Sequence, residues 1–236
     1  LDGSSVDYIL AAGTLGIMGV LGTMGRRNKN YLGSKTVQFL KEKGIYEQLD
    51  TVTGIARRYR DAFILPLDFR VELDGQVYVM TPEEINKHPD KDKMNLYGIG
   101  PQTVARFKEI LQKSRTVYIK GPPAKDDDER FSHESREIFD AVVQLTHQGA
   151  MTILSGGDTT ASAVRFGYSP ERDFKTRTLA GGAATQYRVG ELLAGLYTLN
   201  TSYNVFNGLP LTNGLGSYNL GFDPVAPRIP ELLKPR

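Results

Sequence analysis

A short apolar run followed by two glycines and an acidic residue constrains the fold of this chain more than any other stretch. Residues 150–154 form a partly β-branched strand candidate, and Gly156-Gly157 let the backbone turn sharply after it. Asp158 then falls where a helix N-cap is expected, with Thr159 in the first turn. The free N–H groups of a helix N-terminus favour a phosphate, and a carboxylate beside them can hold Mg²⁺. The pattern predicts either a phosphate-binding turn or a plain glycine turn with an Asp cap.

Strand candidates alternate with helix candidates along most of the chain. Five of the strand candidates end in turns that contain Gly13, Gly100, Gly121, Gly156 and Gly181. This alternation is typical of βαβ units, so we expect an α/β fold of three αβα layers around a mainly parallel, Rossmann-like sheet. Ligands of such sheets bind outside the carboxyl ends of the strands. We therefore expect the five turns to share one rim.

Two segments interrupt this regular alternation. Residues 71–80 alternate around Asp74-Gly75, which predicts a small β-hairpin insertion. Five glycines between Gly13 and Gly25 weaken any helix there, at about 1 kcal/mol each against alanine. We expect that glycine-rich segment to lie against something that needs close approach.

Composition excludes several classes of function. The net charge is +2, with 29 basic and 27 acidic residues, so no electrostatic footprint for nucleic acid is expected. The absence of cysteine excludes disulfides and thiolate metal sites, and the three histidines lack ligand spacing. The sequence has no apolar run of about 18 residues or more, so we expect no membrane span.

Six short motifs, taken together and in order, resemble the C-terminal, nucleotide-binding domain of phosphoglycerate kinase. They are Ile9–Gly13, Leu65–Phe69, Gly98–Thr103, Lys120–Pro122, Ser155–Asp158 and Ala180–Ala183. The resemblance covers about residues 6–193, so we expect a domain at 1–196 and an irregular extension at 197–236. It implies half of a two-domain enzyme that passes a phosphoryl group between 1,3-bisphosphoglycerate and Mg-ADP in glycolysis.

The resemblance also implies which residues form the site. Mg-ATP or Mg-ADP is the implied cofactor if the site functions, and the aspartate matched by Asp158 serves the metal and the phosphates. In the family the adenine lies near the glycines matched by Gly13. The other implied nucleotide contacts are Lys120, Gly121, Pro122, Asp127 and Thr159. The glycines that let helix N-termini approach the transferring group are Gly156, Gly157, Gly181 and Gly182.

Departures from the family pattern affect the site. The family's first nucleotide-domain strand, with its Gly-Gly-Ala-Lys turn, and its N-terminal domain, with the catalytic arginine, would both precede Leu1. The family loop Asn-Gly-Pro-Met-Gly-Val-Phe-Glu is Lys120–Asp127 here, and alanine replaces glycine at Ala12 and Ala180. Losing those cations removes much of what phosphoryl transfer needs, although Lys120 can supply a new phosphate contact.

Two hypotheses follow from these departures. The favoured one is a domain that has lost catalysis and serves as a structural or interaction subunit of a larger assembly. The alternative is the C-terminal part of an active phosphoglycerate kinase. Residues 197–236 mix apolar side chains with asparagines, glycines and prolines and lack periodicity, so we expect them to lie along their own domain or along another protein chain. We expect an intracellular protein, in the cytoplasm or inside a mitochondrion, plastid or glycosome, and not a secreted one.

Overall fold

Strands and helices alternate through the part of the chain that the computed structural model describes, residues 6–25, 28–179, 182 and 186. The strands are β1 (Ile9–Leu10), β2 (Phe63–Ile64), β3 (Phe69–Leu73), β4 (Gln76–Met80), β5 (Asn95–Ile99), β6 (Thr116–Lys120), β7 (Met151–Ser155) and β8 (Thr176–Thr178). The α-helices are α1 (Gly13–Met24), α2 (Ser34–Glu42), α3 (Leu49–Arg58), α4 (Pro82–Lys87), α5 (Pro101–Leu111), α6 (Glu129–His147) and α7 (Gly157–Arg165). The extension predicted at 197–236 lies outside the described residues.

The strands form three hydrogen-bonded sheets. β1 pairs in parallel with β2, and β6, β7 and β8 form a parallel sheet in that order. β3 pairs antiparallel with both β4 and β5. The predicted α/β class with mainly parallel sheets is confirmed, but β5 lies antiparallel beside the hairpin and not in a βαβ unit.

The predicted hairpin is confirmed at its turn. Asp74 and Gly75 both take positive φ, at 50° and 81°, between the antiparallel strands β3 and β4. Positive φ at both central residues matches the right-handed twist of the two strands, which favours Asp-Gly.

The glycine-rich segment forms α1, a regular helix of 12 residues, so the expected weakening does not prevent a helix. The expected close approach is confirmed. A Cβ atom at Gly16 would lie 2.6 Å from the carbonyl oxygen of Ala11, and one at Gly22 would overlap the hydroxyl of Thr53 on α3. Because Gly16, Gly19 and Gly22 are three residues apart, they lie on neighbouring positions of one helix face. Packing on that face offsets the poor helix propensity.

Apolar side chains are buried in two main cores. The N-terminal core joins α1, α2, β3 and β5, and includes Leu21, Leu40, Phe69 and Met94. The C-terminal core joins α5, α6, α7 and β7, and includes Phe107, Phe139, Leu154 and Phe166. The functional candidates of the sequence analysis lie mainly on the turns that border the C-terminal core.

An ion pair connects elements of the two cores. Arg70 on β3 donates to Oε1 of Glu134 on α6 from Nε at 2.8 Å and from a terminal nitrogen at 2.6 Å. The carboxylate of Glu134 is fully buried, and its hydrogen bonds raise the pKa of Arg70 above the ordinary value. The pair therefore fixes the hairpin sheet against α6.

A second connection caps α5 from a distant part of the chain. The buried carboxylate of Asp68 accepts from the backbone N–H groups of Gln102 and Thr103, at 3.0 and 2.9 Å. It also accepts from the Thr103 hydroxyl at 2.7 Å. A Cβ atom at Gly100, the N-cap of α5, would overlap this carboxyl group. Only a residue without a side chain fits beside Asp68.

Candidate functional site

The turn between β7 and α7 is built as a glycine-capped helix start. Gly156 is the N-cap, with a φ of 98° that disfavours residues with a Cβ atom, and α7 begins at Gly157. Asp158 therefore lies inside the first turn and is not the N-cap that the sequence predicted. Its exposed carboxylate stands where a negative charge is favoured by the helix dipole.

Thr159 ties this turn to the end of the neighbouring strand. Its hydroxyl donates to the carbonyl oxygen of Ser155 and accepts from the backbone N–H of Gly121, each at 2.7 Å. The side chain is 1% exposed, so the hydroxyl is engaged inside the protein. The resemblance predicts Thr159 as a nucleotide contact. In the structure, the two hydrogen bonds of its hydroxyl hold the turns after β6 and β7 together.

Three of the five predicted glycine turns meet along one rim. A Cβ atom at Gly13 would lie 3.6 Å from the carbonyl oxygen of Pro122, so the turn after β1 touches the turn after β6. The backbone N–H of Gly121 donates to the hydroxyl of Thr159 on α7. The backbone N–H of Gly156 donates to the carbonyl oxygen of Thr178 at the end of β8, at 2.7 Å. We call Gly13, Gly121, Pro122 and the Gly156–Asp158 turn the glycine rim. The predicted convergence is confirmed for these turns.

The remaining predicted turns are placed differently or are not described. Gly100 packs against Asp68 at the start of α5, where it serves the helix cap already described. Gly182 is exposed and has open space around it, whereas Gly181 lies outside the described residues.

The loop after the rim, residues 120–128, makes internal contacts through its charges. The Lys125 ammonium lies 5.1 Å from the ring centre of Tyr97, and its backbone N–H donates to the Tyr97 carbonyl at 2.6 Å. Asp126 is 7% exposed, and its Oδ1 lies 3.0 Å from the guanidinium of Arg165 on α7. Lys120 and Asp127, the predicted nucleotide contacts of this loop, are exposed.

Asp126 is an acidic residue of this loop that the sequence pattern does not single out. Three aspartates stand in a row at 126–128, and nothing in their order marks the first as the buried one. The third, Asp128, caps α6 by accepting from the N–H of Arg130 at 3.1 Å. The hydrogen bond from the Arg130 side chain lowers the pKa of Asp128.

A cavity of about 1590 Å³ lies beside the glycine rim, between β1 and β6. We call this cavity the slot. Its cationic lining residues outnumber the acidic ones, Asp7 and Asp61, and so favour an anion. They are Lys35, Lys43, Lys113, Arg115, Lys120 and Lys125.

The oxygen ligands available near the glycine rim suit a magnesium ion that is bound together with phosphate groups. No group of three or more His, Cys, Asp or Glu side chains that could hold a metal occurs among the described residues. Mg²⁺ is commonly bound by one or two carboxylates together with substrate phosphates, and the exposed carboxylate of Asp158 fits that pattern.

Comparison with known proteins gives a consistent result. The family model described as phosphoglycerate kinase matches residues 5–191. The phosphoglycerate kinase of Nocardia farcinica is 35% identical over 157 residues, which cover 65% of this chain and 37% of that protein. That of Thermoplasma acidophilum is 30% identical over 179 residues, covering 75% of this chain and 41% of that protein.

Solved structures show the same fold. The phosphoglycerate kinase of Pyrococcus horikoshii OT3 superposes with a TM-score of 0.64 at 23% identity, covering 81% of this chain and 49% of that one. The enzyme of Coxiella burnetii gives a TM-score of 0.55 at 23% identity, covering 76% and 49%. The chain therefore spans less than half the length of each of these relatives. Within the described ranges, no helix has the length and apolar character needed to cross a bilayer.

Proposed function

Because the chain belongs to the phosphoglycerate kinase family, we propose that it binds Mg-ATP or Mg-ADP at the glycine rim and does not transfer a phosphoryl group by itself. The observation that carries this proposal is the N-terminus of α7. Its exposed backbone at Gly157 and the carboxylate of Asp158 lie next to the turn that contains Gly121. A phosphate is favoured at such a helix start, and Asp158 can hold the magnesium ion.

The other predicted residues are assigned to the same nucleotide. Gly13 and Pro122, which touch across the rim, lie on the adenine side. Lys120 adds a positive charge, and Asp127 takes the ribose. Thr159 acts through Gly121, because its hydroxyl holds that turn in place. Gly156 is at the start of α7, and the family resemblance assigns Gly181 and Gly182 to the approach to the transferring phosphoryl group.

Catalysis requires more positive charge around the transferring group than the rim supplies. Phosphoryl transfer depends on positioning and on stabilising charge over the phosphoryl oxygens. The rim as defined contains no Lys or Arg, and the loop beside it contributes Lys120 and Lys125. Lys125 already lies over the ring of Tyr97. We therefore propose that turnover needs cations from outside the described residues, such as the lysines and arginine that the family resemblance implies upstream.

A second candidate function is a structural subunit that contacts other chains through residues 197–236. The internal contacts of the loop at residues 120–128 favour it, because Asp126 is committed to Arg165 and Lys125 to Tyr97. A loop held in this way has fewer groups left for a nucleotide.

Ligand-dependent stability tests the nucleotide proposal. At a hundredfold excess of Mg-ATP over its dissociation constant, the free energy of unfolding should rise by about 2.7 kcal/mol. Asp158→Ala should remove much of this rise. Asp50→Ala is the matched control, because Asp50 is also an exposed aspartate in a first helical turn but lies on α3. Thermal unfolding of the three proteins with and without Mg-ATP gives the comparison.

The outcomes separate the candidate functions. No stabilisation at millimolar Mg-ATP contradicts nucleotide binding and leaves the structural subunit. Equal stabilisation of Asp158→Ala and Asp50→Ala contradicts the role of Asp158. Turnover of 1,3-bisphosphoglycerate by the purified 236-residue chain contradicts the statement that it is inactive alone.

A further inference from the structure

The loop after the glycine rim contains a buried ion pair that stability alone does not explain. Asp126 is 7% exposed, and its Oδ1 lies 3.0 Å from a terminal guanidinium nitrogen of Arg165. Its other oxygen, Oδ2, is buried and has no hydrogen-bond partner among the described residues. Burying a partly satisfied carboxylate destabilises a fold, and an apolar side chain of similar volume avoids that cost. An aspartate at position 126 therefore points to a role beyond folding.

Helix α7 holds the segment 121–126 at two separate points. In the first turn of the helix, the Thr159 hydroxyl accepts from the N–H of Gly121 at 2.7 Å. At the last residue of the helix, Arg165 pairs with Asp126, and a cation is favoured at that end by the helix dipole. Six residues of helix rise about 9 Å. The segment therefore runs alongside α7 from the glycine rim to the end of the helix.

Strand β5 holds the middle of the same segment. Ala124 forms a β-bridge with Gly98, and the N–H of Lys125 donates to the carbonyl oxygen of Tyr97 at 2.6 Å. A Cβ atom at Gly98 would overlap the Cβ atom of Ala124, so the glycine permits this close approach. The loop is thus held between β5 on one side and α7 on the other.

Two consecutive prolines connect the glycine rim to this anchored segment. Pro122 belongs to the rim, and Pro123 is buried. Each proline ring fixes its own φ, and Pro123 also restricts Pro122 to an extended backbone. A displacement of Asp126 is therefore transmitted to Pro122, because the chain between them has little freedom to absorb it.

Asp127 lies between two aspartates that are anchored to helices. Asp126 before it pairs with Arg165 on α7. Asp128 after it caps α6 by accepting from the N–H of Arg130 at 3.1 Å. Asp127 itself is exposed in the turn between them. The anchors use the neighbouring carboxylates and leave that of Asp127 available to a ligand.

We propose that Asp126 and Arg165 are positioning residues for the nucleoside part of the nucleotide. Their ion pair holds Pro122 for the adenine and Asp127 for the ribose, beside the phosphates at the start of α7. The assignment rests on the proposed nucleotide site, in which Pro122 and Asp127 have these roles. Neither member of the pair touches the nucleotide, because both act through the loop.

Binding of two ligands to the whole 236-residue chain tests the proposal. Mg-ATP has a nucleoside, whereas Mg-tripolyphosphate has the phosphates alone. Arg165→Gln leaves the Asp126 carboxylate buried without its cation, so the loop should move and have to be ordered again on binding. We expect the dissociation constant for Mg-ATP to rise by about tenfold and that for Mg-tripolyphosphate to stay the same. Isothermal titration calorimetry measures both constants.

Further variants provide the controls. Arg165→Lys keeps the positive charge and should retain most of the affinity for Mg-ATP. Asp126→Ala releases the loop from the other partner and should show the same selective loss, so the test does not depend on one variant folding. Asp158→Ala should weaken both ligands. Arg106→Gln is the matched control and should change neither, because Arg106 is also a half-exposed arginine in an ion pair, with Glu109 at 2.9 Å on α5. Circular dichroism checks that each variant is folded.

The outcomes separate this proposal from the proposed function. If the unmodified chain binds neither ligand, the nucleotide site is contradicted and the positioning role with it. If it binds both but Arg165→Gln and Asp126→Ala bind Mg-ATP as tightly as the unmodified chain, only the positioning role is overturned. Equal weakening of both ligands by these variants would also overturn it, because the pair would then support the rim as a whole. The same holds if the unmodified chain binds Mg-ATP no more tightly than Mg-tripolyphosphate.

Discussion

At the scale of single residues, one buried hydroxyl organises the glycine rim. Thr159 bridges the carbonyl of Ser155 and the N–H of Gly121, and both bonds are 2.7 Å long. The rim turns come from different parts of the sequence, so a bond between them fixes their separation. The sequence places Thr159 beside a predicted phosphate site. In the structure, its hydroxyl accepts a hydrogen bond from the backbone N–H of Gly121 and holds that turn in place.

Replacing this hydroxyl should loosen the rim. Thr159→Val leaves the N–H of Gly121 without its acceptor, and we expect the free energy of unfolding to fall by about 1 to 3 kcal/mol. Thr160→Val is the matched control, because among the described residues the Thr160 hydroxyl bonds only to the Gly156 carbonyl in its own helix turn, at 3.0 Å. Urea unfolding of both variants measures the difference. A loss for Thr160→Val as large as that for Thr159→Val would contradict the bridging role.

Individual residues were the hardest part of the site to predict. The sequence places Asp158 at the N-cap, but α7 begins at Gly157, so Gly156, with a φ of 98°, takes that position. Asp126 is buried against Arg165, while Asp127 beside it is exposed. These choices depend on partners from other helices, which no local pattern contains.

At the scale of elements, packing outweighs helix propensity in α1. Glycine disfavours a helix by about 1 kcal/mol per residue relative to alanine, yet α1 carries Gly13, Gly16, Gly19 and Gly22. Gly16, Gly19 and Gly22 leave no room for a side chain, so the helix lies close against Leu65 and α3. Interactions on that face supply the stability that the helix lacks alone.

Substituting the two types of helical glycine should have opposite effects. Gly22→Ala adds a methyl group that overlaps the Thr53 hydroxyl, and we expect it to destabilise the protein by about 1 to 3 kcal/mol. Gly54→Ala on α3 meets open space and should stabilise the protein by up to about 1 kcal/mol. Thermal unfolding of both variants tests the sign. Stabilisation by Gly22→Ala would contradict the close packing of α1 on α3.

Elements with strong local signals were predicted well. The hairpin at Asp74-Gly75 and the β7–turn–α7 unit follow from turn chemistry and periodicity, and both are present. The first strand, β1, is limited to Ile9–Leu10. Strand length depends on paired neighbours, and β1 pairs on one side only within the described part of the chain.

At the scale of the whole molecule, two cores are tied together by a few specific contacts. Arg70 and Glu134 form one of these ties, with the carboxylate at 0% exposure. The second oxygen of Glu134, Oε2, accepts no hydrogen bond from any described residue. The pair therefore serves to join β3 to α6, at the cost of burying an incompletely satisfied charge.

A double-mutant cycle should reveal this coupling. Arg70→Met leaves the Glu134 carboxylate buried without its cation, and we expect a loss of about 3 kcal/mol or more in unfolding free energy. Arg70→Met combined with Glu134→Leu should lose less than the sum of the single variants, by about 0.5 to 3 kcal/mol. Denaturant unfolding of the four proteins gives the coupling energy. Additive losses would show that the pair does not join the cores.

The fold class could be predicted from the sequence because it depends on repeated strand–turn–helix units. The arrangement of the sheets could not be predicted in this way. Each strand–turn–helix unit has a local pattern, so the α/β class follows from several weak signals in series. The pairing of β5 with β3 and the slot between β1 and β6 depend on contacts between distant segments. Periodicity carries no information about which edges meet.

Because Gly100 contacts Asp68, the order in which these two positions mutate during evolution matters. Any side chain introduced at position 100 collides with the carboxyl group while Asp68 remains, so that route begins with a heavily disfavoured intermediate. Shortening Asp68 first sacrifices the bonds to Gln102 and Thr103 but opens the space. Evolutionary paths through this pair should therefore change position 68 before position 100, and descendants should show the two positions covarying.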